Sequence, residues 1–130
     1  VNIVDLPGIY TLDANTLDER VTRDYILKDS NDETSADALI LVVDATSIKK
    51  SGASKGATLS RVAGRLGLTA DDCVTFGDNP NDFSMLSWAS RSWAMADGHP
   101  DLMKYAKFQT DAHQEDGVAK VIERLLELPE

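Results

Sequence analysis

Positive charge is scarce in this 130-residue chain: 13 Lys and Arg stand against 22 Asp and Glu, a formal charge of −9. Such a balance leaves no clustered cation surface to neutralise a phosphate backbone, so nucleic acid is excluded as a partner. Cysteine is nearly absent. Cys73 alone can form no internal disulfide, and its solitude suits a reducing, cytoplasmic compartment. No run of about 18 apolar residues occurs, so no helix of this chain is expected to insert in a membrane, and no signal peptide opens it. The 42% hydrophobic and 27% charged content excludes disordered and collagen-like classes. What remains is the length of one globular domain, able to bury about two thirds of its unfolded surface. The sequence starts at Val1, inside an apolar run, and reads as a fragment or excised piece.

The acid is unevenly spread. Residues 1–47 hold ten acids and three bases, a net −7, whereas residues 48–130 hold twelve acids and ten bases, a net −2. Asymmetry of this kind raises the question of whether both halves belong to one original protein.

Hydrophobic patterning predicts alternating strands and helices. Val1-Asn2-Ile3-Val4-Asp5 is a strand-like run broken by Leu6-Pro7-Gly8. Val21, Tyr25 and Ile26 share a face of a predicted helix over residues 17–28. Residues 38–45 (Ala-Leu-Ile-Leu-Val-Val-Asp-Ala) form a continuous apolar run, as a buried parallel strand requires. Leu59, Val62, Ala63 and Leu66 mark a helix over 55–66 that Gly67 stops. Further on come strands at 73–76, 92–96 and 108–110, and helices at 81–89, 100–106 and 115–128. The last is expected to turn Val118, Val121, Ile122, Leu125 and Leu126 inward. About five strands alternating with five helices predict an α/β domain with a mostly parallel sheet. Ligands of such sheets bind at the carboxyl ends of strands. Asp5, Asp44, Asp78 and Asp97 stand at or just past such ends.

One constellation stands out. The strand at 73–76 runs into Gly77-Asp78-Asn79-Pro80-Asn81-Asp82, which returns a second carboxylate one turn after the first. Two carboxylates converging across a strand-to-helix turn suit a hard cation such as Mg²⁺, which takes a few carboxylate oxygens together with water and phosphate. An Asx-rich turn that merely starts a helix would read the same locally. Upstream lies Gly52-Ala53-Ser54-Lys55-Gly56; downstream lie Met85-Leu86, Ala94-Met95-Ala96-Asp97-Gly98-His99-Pro100 and Asp116-Gly117-Val118-Ala119. In this order and spacing, residues 51–130 resemble the carboxyl-terminal part of the Cof-type phosphatases of the haloacid dehalogenase superfamily. The resemblance implies a three-layer, Rossmann-like core. It also implies that Asp78 and Asp82 hold Mg²⁺, that Asn81 and Asn79 orient the site, and that Lys55 neutralises the phosphoryl group of a small phosphorylated molecule.

The same resemblance makes two gaps conspicuous. Family members attack phosphate with the first Asp of an Asp-x-Asp pair, and no Asp-x-Asp occurs in these 130 residues. The nearest imitation is Leu41-Val42-Val43-Asp44-Ala45-Thr46, where Asp44 takes a nucleophile-like position and Thr46 stands in place of the acid–base carboxylate. Losing that group is expected to cost a factor of about 10²–10⁴. The inserted cap domain that selects substrates in the family has no counterpart here either.

The opening segment points elsewhere. Val4-Asp5-Leu6-Pro7-Gly8, Leu17-Asp18-Glu19, Arg23-Asp24-Tyr25 and Val42-Val43-Asp44-Ala45 resemble the GTPase domain of ferrous iron transport protein B. That likeness implies that Asp5 reaches Mg²⁺ through water and that the Gly8 N–H meets the γ-phosphate of GTP. Neither a Gly-x-x-x-x-Gly-Lys-Ser/Thr phosphate loop nor an Asn-Lys-x-Asp segment is present, and the former carries most of the nucleotide contacts. The expectation is therefore a join near residues 46–51 between a GTPase-like segment (1–50) and a phosphatase-like segment (51–130), packed as one compact unit. Elsewhere, Cys73 reads as a core thiol. His99 and His113 lack zinc spacing, and Trp88 and Trp93 are expected to pack against the ends of the turn between them.

Overall fold

The computed structural model describes residues 17–28 and 54–127. The predicted strands at 1–5 and 38–45 lie outside the described residues. The chain divides into two compact units, Val1–Val42 and Val43–Glu130. In the first, helix α1 (Leu17–Ile26) forms as expected, but the face expected to pack is only partly covered. Leu17 and Val21 are exposed, Tyr25 and Ile26 are half-buried, and Glu19 and Thr22 are buried, so the covered stripe mixes polar with apolar side chains.

In the second unit, helix α2 (Lys55–Arg65) starts at Ser54, whose extended backbone leaves its hydroxyl free to accept the Ala57 N–H at 3.1 Å. It ends where Gly67 takes φ 72°. The Leu68 N–H then returns to the Ala63 carbonyl at 2.8 Å and the Gly67 N–H to Gly64 at 3.2 Å, the pairing of a Schellman stop. Strand β1 (Val74–Gly77), helix α3 (Phe83–Trp88) and strand β2 (Arg91–Met95) follow, then strand β3 (Phe108–Thr110) and helix α4 (Gly117–Glu127).

The three described strands form one parallel sheet in the order β1-β2-β3. α3 crosses from β1 to β2 and seats Leu86 against Ala94 and Leu102, with Phe83 and Ala106 closing the cluster. Successive strand residues point to opposite faces, so Phe76 and Trp93 occupy the face away from Thr75, Ser92 and Ala94. Parallel register places Phe76 beside Trp93 and Trp93 beside Phe108. The rings stack in a ladder, with centroids 5.6 Å and 5.1 Å apart. Trp93 is thus the middle rung of a cross-strand stack, not a plug at the end of a turn. That placement depends on register, which no local pattern contains.

Three helices end or begin differently from expectation. The predicted helix at 100–106 is a tighter 3₁₀ stretch, Pro100–Lys104, opened by the His99 Nδ1 accepting the Asp101 N–H at 3.1 Å. The 81–89 helix divides into a 3₁₀ turn, Pro80–Asp82, and α3. α4 starts at Gly117 because Asp116 adopts a left-handed conformation, φ 58°, that interrupts the helix predicted from Glu115. Along α4, Val121 is buried but Leu126 is 59% exposed. Lys107 supplies an unforeseen brace. Its ammonium donates to the carbonyls of Leu86, Ser87 and Ala89 at 3.0, 2.9 and 2.8 Å, satisfying the C-terminal end of α3.

Among the described residues, one buried group in the sheet lacks a partner. The Thr75 hydroxyl is enclosed without a hydrogen bond, a desolvation cost with no return. Thr75→Val, which keeps the shape and removes the hydroxyl, is expected to stabilise the protein by about 1 kcal/mol. A lowered urea midpoint in that variant would show that the hydroxyl is satisfied after all.

Candidate active site

β1 delivers Gly77 to the carboxyl edge of the sheet. A Cβ on Gly77 would lie 2.6 Å from the Asp82 Cβ, so only glycine lets the Asp82 side chain fold back over the strand end. The chain then turns through Asp78 and Asn79 into Pro80–Asp82. The Asp82 side chain is 4% exposed and both its oxygens are engaged. Oδ2 accepts the backbone N–H groups of Asp78 and Asn79 at 3.0 and 3.2 Å. Oδ1 accepts from the Lys55 ammonium at 2.6 Å.

Lys55 opens α2, 27 residues upstream, and its side chain is 14% exposed. Fold and ion pair together therefore join the two phosphatase-like segments singled out in the sequence. Asp78 differs from Asp82: it is exposed, and its carboxylate accepts from the Asn79 amide at 3.0 Å. Its backbone is held from behind, with its carbonyl accepting the His99 N–H at 2.8 Å. Gly98 presses on the same carbonyl so closely that a Cβ would lie 2.7 Å from it. Asn81 is exposed on the same turn. Asp44, Asp5 and Gly8 lie outside the described residues. Among the described residues no group of three or more His, Cys, Asp or Glu gathers as a ready-made metal cluster. Asp78 and Asp82 supply hard oxygen donors, and among the described residues Lys55 is the only ammonium bonded to either.

Other ionisable groups divide into a quiet thiol and exposed pairs. Burial pushes the Cys73 thiol up, and Asp72 adds to the shift; the side chain is half-buried and lies outside the core expected to hold it. His113 hydrogen-bonds Asp97 and holds that carboxyl below its ordinary range. Lys120 does the same for Asp111 at 2.7 Å, and its own pKa rises in return. Sequence reading overlooked a second link at the site. The Ser84 hydroxyl accepts the Gly56 N–H at 3.0 Å, one residue beyond Lys55. The available signal was the small Gly56 beside Lys55, which marks a close approach of two backbones.

A family model of haloacid dehalogenase-like hydrolases matches residues 13–122. The chain belongs to the haloacid dehalogenase-like hydrolase family. Among its curated relatives, the HMP-PP phosphatase of Yersinia enterocolitica is 35% identical over 96 residues, covering 72% of this chain and 35% of that protein. The phosphoglycolate phosphatase of Methanosarcina acetivorans is 36% identical over 81 residues, 62% of this chain and 36% of that protein. A crystal structure of a haloacid dehalogenase-like hydrolase from Bacteroides thetaiotaomicron superposes with a TM-score of 0.55 at 35% identity, covering 58% of this chain and 28% of that one. The chain thus spans about a third of the length of these curated relatives. The fold is the Rossmann-type α/β core of the family, with its parallel sheet and flanking helices. No described helix is long and apolar enough to cross a membrane.

Proposed function

We propose that Lys55, Asp78 and Asp82 form the cation- and phosphoryl-binding half of a phosphatase site that accepts a small phosphorylated molecule. The observation supporting this reading is the enclosed Lys55–Asp82 pair beside the exposed carboxylate of Asp78 at the carboxyl end of β1. Asp78 has open lone pairs for a hard cation, and Asp82 contributes the second charge of the site. Mg²⁺ fits this all-oxygen donor set and, when bound, supplies Lewis-acid stabilisation of phosphoryl oxygens. Lys55, held at 2.6 Å from Asp82, offers its remaining N–H donors to a phosphoryl oxygen. Asn79 orients the Asp78 carboxylate through its amide, and Asn81 stands ready on the same turn.

The nucleophilic step needs a carboxylate in a phosphatase-like position, and these 130 residues offer Asp44 without an Asp-x-Asp partner. Binding is therefore proposed to outlast turnover in this chain. Calorimetric titration with Mg²⁺ tests the site directly. The protein is expected to give a saturable heat that Asp78→Asn abolishes, while p-nitrophenyl phosphate hydrolysis stays near background. Undiminished heat in Asp78→Asn would remove the assignment.

A further inference from the structure

Two cross-links join the same pair of segments. Lys55 reaches Asp82 through its side chain at 2.6 Å, and Gly56 reaches Ser84 through its backbone N–H at 3.0 Å. Each partner of the second link lies within two residues of a partner of the first. The first turn of a helix has donors with no partner inside the helix. In α2, Ser54 answers the Ala57 N–H from within the same segment, whereas the buried Gly56 is answered from α3. The contact is also close in space: a Cβ on Gly56 would lie 2.6 Å from both the carbonyl carbon and the oxygen of Ser84. The start of α2 is therefore pressed onto the first turn of α3, with one hydroxyl fixing its height and angle.

We propose that Ser84 is a positioning residue for Lys55, acting through the Gly56 N–H to hold the ammonium at Asp82 and toward a phosphoryl group. The proposal rests on the reading of Lys55 given above, but its geometry does not depend on substrate. A lysine has four side-chain carbons and many rotamers. What sets its reach is where its backbone starts, and Ser84 sets that start. Without the hydroxyl, the buried Gly56 N–H loses its acceptor in α3, and the tie that fixes the base of Lys55 is gone. Threonine keeps an oxygen acceptor at the same place.

The test reads Lys55 itself, with no substrate present. The full chain is treated with trace acetic anhydride, and acetylation of each lysine is followed by mass spectrometry. Lys104, 71% exposed, serves as the internal reference. Ser84→Ala is expected to raise the Lys55 rate on the order of fivefold relative to Lys104, the equivalent of one hydrogen bond, and Ser84→Thr to restore it. Leu102→Val, which trims the core around Leu86 and Ala94, is the control for general loosening and should leave the ratio unchanged. An unchanged Lys55 rate in Ser84→Ala, or an equal rise in Leu102→Val, would overturn the proposal. Because acetylation needs no Mg²⁺ or phosphate, loss of the cation-binding reading would leave this result standing on its own.

Discussion

Lys55→Met is expected to lower the unfolding free energy by about 3–5 kcal/mol, because it strands the Asp82 carboxylate in an enclosed position. Among the described residues three donors converge on Asp82, and only one carries charge: the Lys55 ammonium at 2.6 Å. Two backbone N–H groups cannot replace that charge, and with its side chain 4% exposed Asp82 has little water to turn to. The double variant Lys55→Met/Asp82→Asn distinguishes a lost attraction from a stranded charge. Asparagine keeps an oxygen for the N–H groups of Asp78 and Asn79 and removes the charge, so the double variant should recover about half of the loss. Urea denaturation of the two variants and the parent gives both figures. A Lys55→Met cost below about 1 kcal/mol would mean that the pair behaves as a solvated surface bridge.

Gly117→Ala is expected to destabilise by about 3 kcal/mol or more, the cost of overpacking where backbone blocks the new atom. A Cβ there would lie 1.9 Å from the Asp111 carbonyl oxygen and 3.2 Å from the Met95 Cε. The flexible Met95 can move. The Asp111 carbonyl cannot move without disturbing β3, whose Thr110 hydroxyl donates to the Gly117 carbonyl at 2.8 Å. The same substitution has the opposite sign at Gly64, which lies within α2 with nothing within 4 Å of a Cβ. Gly64→Ala should stabilise by up to about 1 kcal/mol through helix propensity alone. Thermal unfolding of the two alanine variants separates them: a decrease for position 117 and an increase for position 64. A Gly117→Ala midpoint within a degree or two of the parent would show that the start of α4 relaxes freely.

Much of the second unit was legible from local chemistry. Ser54 ahead of an apolar helical repeat and Gly67 behind it bound α2 to within a residue, because caps and stops are settled by neighbours in sequence. Short apolar runs bounded by Asp, Gly and Ser placed β1 and β2 to within one residue and β3 as observed. Less legible were the 3₁₀ turns and the start of α4. The choice between third- and fourth-neighbour hydrogen bonds, or a left-handed Asp116, is made by what packs against the turn. The exposed Val21 and Leu126 show the same gap: periodicity finds a face, but a partner decides which face is covered.

At the site, the sequence by itself determined the chemistry available. Asp78, Asp82, Asn79, Asn81 and Lys55 are named by spacing and resemblance, and the missing Asp-x-Asp is visible without coordinates. Only the tertiary structure decided how the two carboxylates differ in enclosure and bonding. Four residues of separation bring Asp78 and Asp82 onto one turn, but cannot say which oxygen meets which donor. That depends on α2 arriving from 27 residues away, pressed onto α3 at Gly56 and Ser84, with Lys55 reaching Asp82. The physical reason is range: side-chain identity and caps act within a turn, whereas enclosure of an ion pair needs surfaces from distant segments to exclude water together.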